Sequence, residues 1–441
     1  MEKKETRAAP SRYGAIVQTV LLLIPGIYCT AMLLPKEYTI LLPYLDWSAK
    51  VVGAACLVGA HGYYNLLKIH PLGALLKALG QGTVVAGENG TGKTIYLINT
   101  MLDLFQLKHG SIFISPHGIE DFRKVVERIP GVVVLDPLRK PGLYMFTRYS
   151  WNARERNILA AAFVKLVNRL HDSWGDNIDA ILSNAAIACL QYQELTKENI
   201  TPETIYNFLV DEESFFRVLE RVDSRPLLNA LLRAKEHNKE SYNKAITKLE
   251  KLLTQSTCYD FLCDTEGIDL KKLIDADRLI FCDYDPAHVG KPMAEFLAEI
   301  TATLTANIIL ERKQGSKKYG VFMDEFHRYA NETTEELPTE GRKRGAMCWF
   351  ATQSLHFLSK KMLYAAAQCG TKIFFRVSSE DASLAYKMLA REYDADSFVD
   401  LPNHWYQGKL LEYGKPVYRR AKAPPLRSEI DADDTANRAT A

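Results

Sequence analysis

The sequence lacks the cysteine pattern of a disulfide-stabilised secreted protein. Its eight cysteines have no paired spacing, and Cys258 and Cys263 are the nearest pair. No CxxC motif or neighbouring Cys/His set completes a zinc site. We therefore expect reduced thiols in a cytosolic or membrane-associated protein.

An excess of charge of either sign is also missing. Lys and Arg number 55 while Asp and Glu number 53, which leaves a net charge of +2. This excludes a polybasic coat for nucleic acid, so any anionic partner must be bound by local patches. The 441 residues are 47% hydrophobic and 24% charged, which is enough for folded cores in roughly two to three domains of about 150 residues.

Two stretches near the N-terminus carry no charged residue. Residues 13–35 form a run of 23, long enough to cross ~30 Å of hydrocarbon as a helix, and residues 51–67 form a run of 17. They predict two transmembrane helices in an anchor spanning residues 1–70. One kinked span plus a buried helix is the alternative, because Pro25 and Gly26 interrupt the first run and His61 dilutes the second.

The basic residues around these runs predict an orientation. Most of them precede the first run or follow the second: Lys3, Lys4, Arg7, Arg12, Lys68 and Lys77. The loop between the runs has only Lys36 and Lys50, offset by Glu37 and Asp46. The positive-inside rule then places the N-terminus and everything after residue 70 in the cytoplasm.

Residues 82–94, GTVVAGENGTGKT, contain the phosphate-binding motif GxxxxGK[ST] between a short β-rich segment and a helical one. Its glycines let backbone N–H groups surround phosphates, and the helix N-terminus favours an anion. Lys93 is expected to reach the β- and γ-phosphates, and the Thr94 hydroxyl to ligate Mg²⁺. A glycine-rich turn that matches by chance is the alternative. The predicted nucleotide-binding residues are Gly87, Glu88, Asn89, Gly90, Thr91, Gly92, Lys93 and Thr94.

Short apolar runs rich in β-branched and aromatic residues recur along the chain. Such runs are typical of strands buried on both faces of a parallel sheet. They cover residues 83–86, 111–115, 132–136, 279–283, 319–324, 348–352 and 372–377. With amphipathic helical stretches between many of them, they predict an α/β domain over 71–150 and 276–420. Its sheet is doubly wound and mostly parallel, with ligands at the carboxyl ends of the strands.

Two of these strands end in polar side chains suited to hydrolysis. The run VFMDE ends in Asp324, a candidate for holding Mg²⁺ through water, and Glu325, a candidate base for the attacking water. The run WFATQS places Gln353 where it could contact the γ-phosphate. An inconsequential acidic strand end and a simple helix cap are the respective alternatives.

The basic turn GRKRG between these two motifs offers Arg342 as an arginine supplied to a neighbouring subunit's nucleotide. A solvated basic turn is the alternative, and Arg376 competes for the same role.

The remaining chain divides into helices and a polar tail. Residues 151–275 repeat apolar residues at three- and four-residue spacing, which predicts an inserted all-α domain, with Thr201 capping a helix that begins at Pro202. A basic stretch at 233–251 is a candidate nucleic-acid face, but glutamates offset its charge and a solvated amphipathic helix is the better interpretation. Residues 421–441 are polar and proline-interrupted, so we expect a disordered tail.

In this order, the two N-terminal spans, GENGTGKT, the helical insertion, VFMDE, GRKRG and ATQS resemble the type IV secretion coupling ATPases of TraG/TraD type, in the HerA–FtsK superfamily. The resemblance covers residues ~14–420 and implies a RecA-like ATPase with ATP and Mg²⁺ as ligands. It also implies a homo-hexameric ring at the inner membrane, DNA in a central channel, and a link between a relaxase–single-stranded DNA substrate and the components of a secretion channel. One departure is Ser115 before Pro-His-Gly, where related pumping ATPases often have Asp.

Three other functions compete with DNA transport. The chain could deliver protein effectors to a secretion channel without DNA, and the motifs do not separate these two cargoes. It could be a morphogenesis ATPase of filamentous phage type, although in that class the membrane span usually follows the ATPase domain. It could be a nucleotide-gated scaffold without turnover, which the Asp324–Glu325 pair argues against.

Overall fold

The computed structural model describes residues 82–118, 120–147, 152–169, 175–412 and 415–426. The predicted membrane segments 13–35 and 51–67 lie outside these ranges, as do residues 427–441 of the predicted tail. Within the described ranges one helix, Lys291–Glu311, is long and apolar enough to cross a bilayer, and 83% of its most apolar window is buried inside the protein. Burial of this kind is typical of a core helix.

The described chain contributes nine strands to one sheet. They are β1 (Thr83–Ala86), β2 (Ser111–Ser115), β3 (Val133–Leu135), β4 (Leu279–Asp283), β5 (Tyr319–Met323), β6 (Ala346–Thr352), β7 (Thr371–Phe374), β8 (Trp405–Glu412) and β9 (Lys415–Lys422). Their order is β3-β4-β2-β5-β6-β1-β7-β8-β9. The first seven are parallel, as the apolar runs predicted, and β8 and β9 form an antiparallel hairpin at one edge.

Fifteen α-helices are described. They are α1 (Lys93–Gln106), α2 (Glu120–Val126), α3 (Ala153–Arg169), α4 (Asp176–Thr196), α5 (Pro202–Val210), α6 (Glu212–Leu219), α7 (Arg225–His237), α8 (Lys239–Leu253), α9 (Ser256–Leu262), α10 (Leu270–Asp275), α11 (Pro286–Val289), α12 (Lys291–Glu311), α13 (Lys360–Gln368), α14 (Ser379–Met388) and α15 (Asp396–Val399).

The sheet is buried on both faces because alternate side chains of each strand point to opposite layers. Ile112 and Ile114 of β2 belong to the same core as Leu297 of α12. On the other face the rings of Phe322 and Trp349 stack with their centroids 4.1 Å apart. The predicted doubly wound, mostly parallel α/β fold is therefore present in the described chain.

Helices α3–α10 occupy the segment between β3 and β4 for which the sequence pattern predicted helices. The start of α5 follows the predicted signal: the Thr201 side chain accepts from the backbone N–H of Thr204, and Pro202 occupies the first turn. Buried side chains of these helices, such as Phe163 and Leu249, belong to one hydrophobic core with strand β2 and helix α12. The helices therefore pack on the sheet without a separating polar layer.

The hairpin corrects one sequence-based boundary. Disorder was expected from residue 421, but β9 continues to Lys422. The following residues lie on α1, where the Asn99 side-chain amide donates to the carbonyls of Pro424 and Pro425 at 3.2 and 3.0 Å. The prediction was wrong for 421–426 because composition does not show that β9 pairs with β8 or that the following residues contact α1.

Candidate functional site

The loop between β1 and α1 is held in a curled conformation by its own backbone. Gly90 and Gly92 have positive φ angles of 73° and 106°, a region that side-chain-bearing residues rarely adopt. A Cβ on Gly87 would lie 2.7 Å from the Cβ of Phe375, so only glycine fits there. Thr91 closes the turn by donating its hydroxyl to the carbonyl of Glu88 at 2.7 Å. The predicted phosphate-binding loop is thus tightly curled, with two of its glycines in the left-handed region.

Helix α1 begins directly after this loop with no side-chain cap on its first N–H groups. Uncapped donors at a helix N-terminus favour an anion, because the helix dipole adds to their partial positive charge. Lys93 is the first residue of the helix, and its ammonium donates to the carbonyl of Glu88 at 3.1 Å. Burial lowers the pKa of Lys93, and the charge of Glu325 partly opposes that shift.

The acidic pair follows β5, so it lies at the carboxyl ends of the parallel strands, as the loop after β1 does. The Thr94 hydroxyl donates to Oδ2 of Asp324 at 2.8 Å, although 230 residues separate the two in sequence. Oε1 of Glu325 lies 3.9 Å from Nζ of Lys93. The loop and the acidic pair therefore converge on one place.

Strand β6 lies between β1 and β5, and this order decides the spacing of the site. Thr352 pairs with Ala86, so the residue after β6 emerges between the loop and the acidic pair. That residue is Gln353, and its side chain lies close enough to Glu325 to lower the pKa of that carboxyl, against the raising effect of burial. The structure thus brings Gln353 to the same site.

Glu325 is in an unusual state. Its backbone is in the left-handed region, with φ 49° and ψ 39°, a conformation that costs a non-glycine residue energy and is often found at functional sites. It is 4% exposed, and burial together with the charge of Asp324 raises its pKa. A buried carboxylate with a raised pKa is a better proton acceptor than one in water.

These residues line a cavity of about 670 Å³. Its walls include the loop and the residues after β5 and β6, and also three side chains for which sequence reasoning proposed no role: His117, Arg328 and His404. Arg328 lies 3.5 Å from Glu295, and burial lowers the pKa of His117. His117 belongs to the Pro-His-Gly sequence noted above, whereas no local motif marks Arg328 or His404, and the position of His404 depends on the C-terminal hairpin.

His404 is brought to the loop by the connection into β8. Its backbone N–H donates to the carbonyl of Thr91 at 2.9 Å, and its own carbonyl accepts from Ala423 at 2.7 Å. A Cβ on Gly92 would lie 2.7 Å from the His404 ring. The C-terminal hairpin thus buttresses the phosphate-binding loop.

The two candidate arginines lie at different places. Arg342 is exposed in the 3₁₀ turn Gly341–Arg344, which immediately precedes β6, whereas the cavity lies where β6 ends. The seven residues of β6 span roughly 20 Å between its two ends, so Arg342 does not reach its own chain's cavity. Arg376 lies beside the loop and donates through Nε to Glu88 at 3.1 Å.

The residues present fit Mg²⁺ bound together with phosphate. No cluster of three or more His, Cys, Asp or Glu side chains suited to a metal occurs within the described ranges. The Thr94 hydroxyl and the Asp324 carboxylate are instead paired at 2.8 Å, which supplies one or two protein oxygens. Mg²⁺ is commonly held in this way, with substrate phosphates and waters completing its octahedron.

No protein-family model and no curated protein sequence matches this chain. Solved structures do share its fold. The plasmid coupling protein TrwB in complex with the non-hydrolysable ATP analogue ADPNP is 15% identical, with a TM-score of 0.57 over 80% of this chain and 87% of that one. TrwB in complex with ADP and Mg²⁺ is 13% identical, with the same TM-score over 81% and 89%. VirB4 of Thermoanaerobacter pseudethanolicus is 14% identical, with a TM-score of 0.55 over 78% and 90%. At such identities the likeness shows a common fold, and the resemblance drawn from the motifs is confirmed at that level.

Proposed function

We propose that this chain is an ATP-hydrolysing motor of the type IV secretion coupling class. It binds ATP with Mg²⁺, is anchored in the inner membrane by two N-terminal helices with its ATPase domain in the cytoplasm, and acts as a homo-hexameric ring. Its cargo is single-stranded DNA carried by a relaxase, which it moves into a secretion channel.

The observation that carries the proposal is the 2.8 Å hydrogen bond between Thr94 and Asp324. It joins the phosphate-binding loop to the acidic strand end across the sheet. A chance glycine-rich turn or an inconsequential acidic strand end has no reason to meet the other motif at hydrogen-bond distance. The fold shared with TrwB, solved with ADPNP and with ADP and Mg²⁺, supports the same ligands here.

The side chains divide the work of hydrolysis. Lys93 and the loop N–H groups bind the phosphates, and Thr94 and Asp324 hold Mg²⁺, which neutralises phosphate charge when bound. Glu325 accepts a proton from the attacking water, because burial keeps its carboxylate basic. Gln353, between the two motifs, orients that water or contacts the γ-phosphate. Because the group that Glu325 activates is water, the reaction is hydrolysis and not phosphoryl transfer to a second substrate.

DNA transport is supported by the class of protein that the motifs and the fold resemble. A motor that moves DNA of any sequence must contact phosphates, so its affinity should fall steeply with salt and depend little on sequence. A protein cargo would not impose that dependence.

The decisive measurement is phosphate release by the full-length protein in detergent, with and without single-stranded DNA. We expect DNA-stimulated turnover that Lys93→Ala and Glu325→Gln each reduce by at least about 100-fold. Lys313→Ala and Glu392→Gln, at exposed positions outside the cavity, are the matched controls and should keep wild-type turnover.

Undiminished turnover in Glu325→Gln would remove the assigned base. Turnover that is present but indifferent to DNA would instead favour a protein cargo. A strong preference for one DNA sequence would contradict transport through phosphate contacts.

A further inference from the structure

One oxygen of the Glu325 carboxylate is buried without a hydrogen bond. Oε1 faces Lys93, but Oε2 has no hydrogen-bond partner within the described ranges. A buried, unpaired carboxylate oxygen is costly, and in a folded protein it calls for an explanation. The His327 ring faces Oε2, with its Nδ1 3.6 Å away.

The hydrogen bonds of Thr352 locate the proton of His327. The Thr352 hydroxyl donates to the carbonyl of Ser354 at 2.8 Å, so it must accept at its other contact. That contact is Nδ1 of His327 at 3.1 Å. The network therefore assigns the proton of His327 to Nδ1, which makes this nitrogen a donor.

This donor stands between two acceptors. The Thr352 hydroxyl is within hydrogen-bond distance and Oε2 of Glu325 is about half an ångström too far, so a small rotation of the ring exchanges one bond for the other. The ring is held in place by Phe357, whose centroid is 5.0 Å away. Phe357 is itself 58% exposed.

Lys93 explains why the exchange matters. Its ammonium lies 3.9 Å from Oε1 of Glu325, and binding of phosphate would draw that charge toward the nucleotide. Glu325 then loses a partner while it must hold a fixed orientation toward the attacking water. A donor at Oε2 would fix the carboxylate and leave Oε1 facing the cavity.

We propose that His327 is the positioning residue for Glu325, its Nδ1–H moving from the Thr352 hydroxyl to Oε2 of Glu325 when the site is engaged. The inference rests on the proposed hydrolysis of ATP. His327 does not exchange protons with the substrate; it orients the residue that does.

Two substitutions separate this role from simple packing. In His327→Asn the amide nitrogen stands close to the position of Nδ1, whereas in His327→Gln it stands closer to Nε2. We expect His327→Gln and His327→Ala to lower kcat roughly 10- to 100-fold, as loss of a hydrogen bond to a charged group would, and His327→Asn to stay within about threefold of wild type. The affinity for ADPNP, measured by calorimetry, should be nearly unchanged in all three, because His327 is not among the residues that line the cavity and trades one hydrogen bond for another when the site is engaged.

His356→Asn is the matched control. His356 lies in the 3₁₀ turn after the neighbouring strand β6 and is exposed, and its Nδ1 is 2.7 Å from Oδ1 of Asp381, so its replacement should leave kcat unchanged. Equal kcat in the Asn and Gln variants, or wild-type kcat in His327→Ala, overturns the inference while the ATPase assignment stands. A wild-type protein that hydrolyses no ATP overturns both the ATPase assignment and the role of His327. Lys93→Ala is measured in the same assay: turnover that this variant loses shows that the ATPase assignment holds, so a negative result with the His327 variants then counts only against His327.

Discussion

At the scale of residues, burial alters the ionisation of the groups that surround the cavity. It lowers the pKa of Lys93 and raises that of Glu325, so the difference between the two pKa values is smaller than it would be in water. The Lys93 ammonium has already lost its hydration on folding, so a bound phosphate can neutralise it without a further desolvation cost for the lysine. For the glutamate, burial creates a stronger base, and the acid limb of the pH–rate profile should lie above the ordinary glutamate pKa of 4.5.

His327 predicts a specific dependence of stability on pH. Burial, with the nearby charge of Arg328, lowers the pKa of His327 from 6.5 to about 4. Above pH 6.5 the histidine is neutral whether the chain is folded or not, so it costs nothing. Below that pH the unfolded chain binds a proton that the folded chain refuses, and stability falls until about pH 4.

The difference between wild type and His327→Asn measures this contribution. Between pH 7 and pH 4 the wild type should lose roughly 2 to 3 kcal/mol more unfolding free energy than the variant, which cannot titrate. Urea unfolding at several pH values is the measurement. Parallel pH dependences in the two proteins would show that His327 is protonated as readily in the folded state as in the unfolded state.

At the scale of elements, the phosphate-binding loop depends on a hairpin far away in sequence. The connection into β8 places His404 against the loop, and the residues after β9 accept two hydrogen bonds from Asn99 in α1. Helix α1 is therefore held between the parallel sheet and the C-terminal segment. This contact couples the shape of the loop to the part of the chain that leads into the tail.

Asn99→Asp tests the contact with almost no change in side-chain size. The substitution replaces an amide donor by a carboxylate that faces the carbonyls of Pro424 and Pro425, in a position that is 3% exposed. We expect the free energy of unfolding to fall by about 1 to 3 kcal/mol, because acceptors would oppose acceptors. Thermal or urea unfolding at neutral pH gives the value.

Asn199→Asp is the corresponding control. Asn199 also donates to a backbone carbonyl, that of Thr265 at 2.8 Å, but it is exposed, so water can replace the bond. Its substitution should change stability by less than about 0.5 kcal/mol. Similar losses in both variants would mean that the C-terminal segment does not hold α1.

At the scale of the whole molecule, the proposed role of Arg342 in hydrolysis depends on a second subunit. Arg342 lies at the edge of the sheet opposite to the cavity, so it can contribute to hydrolysis only in trans. The predicted ring supplies such a neighbour, and an arginine near a developing phosphate charge stabilises the transition state.

Two defective subunits should therefore complement each other. Arg342→Ala alone is expected to lower kcat roughly 1000-fold or more, while Lys343→Ala, in the same turn and paired with Glu340, should have little effect. When Arg342→Ala and Glu325→Gln subunits are co-expressed and purified together, some interfaces pair an intact Glu325 with an intact arginine. Phosphate release above the sum of the separate variants is the expected result, and simple additivity would argue against a role in trans.

The sequence by itself determined the features that are encoded locally. The phosphate-binding loop could be recognised because its glycines, lysine and threonine must follow one another within eight residues. The parallel strands could be recognised because burial on both faces demands unbroken apolar runs. Predicted boundaries were close: 132–136 became Val133–Leu135 and 372–377 became Thr371–Phe374.

Only the tertiary structure decided which distant residues meet. The order in which β6 separates β1 from β5 brings Asp324 to Thr94 and sets Gln353 between them, and strand order depends on packing across the whole sheet. The hairpin was missed because β8 is stabilised by pairing with β7, and no local sequence pattern indicates that pairing. His327 was missed for a related physical reason: a histidine acquires its role from the acceptors around it, and one of these, Thr352, comes from a different strand.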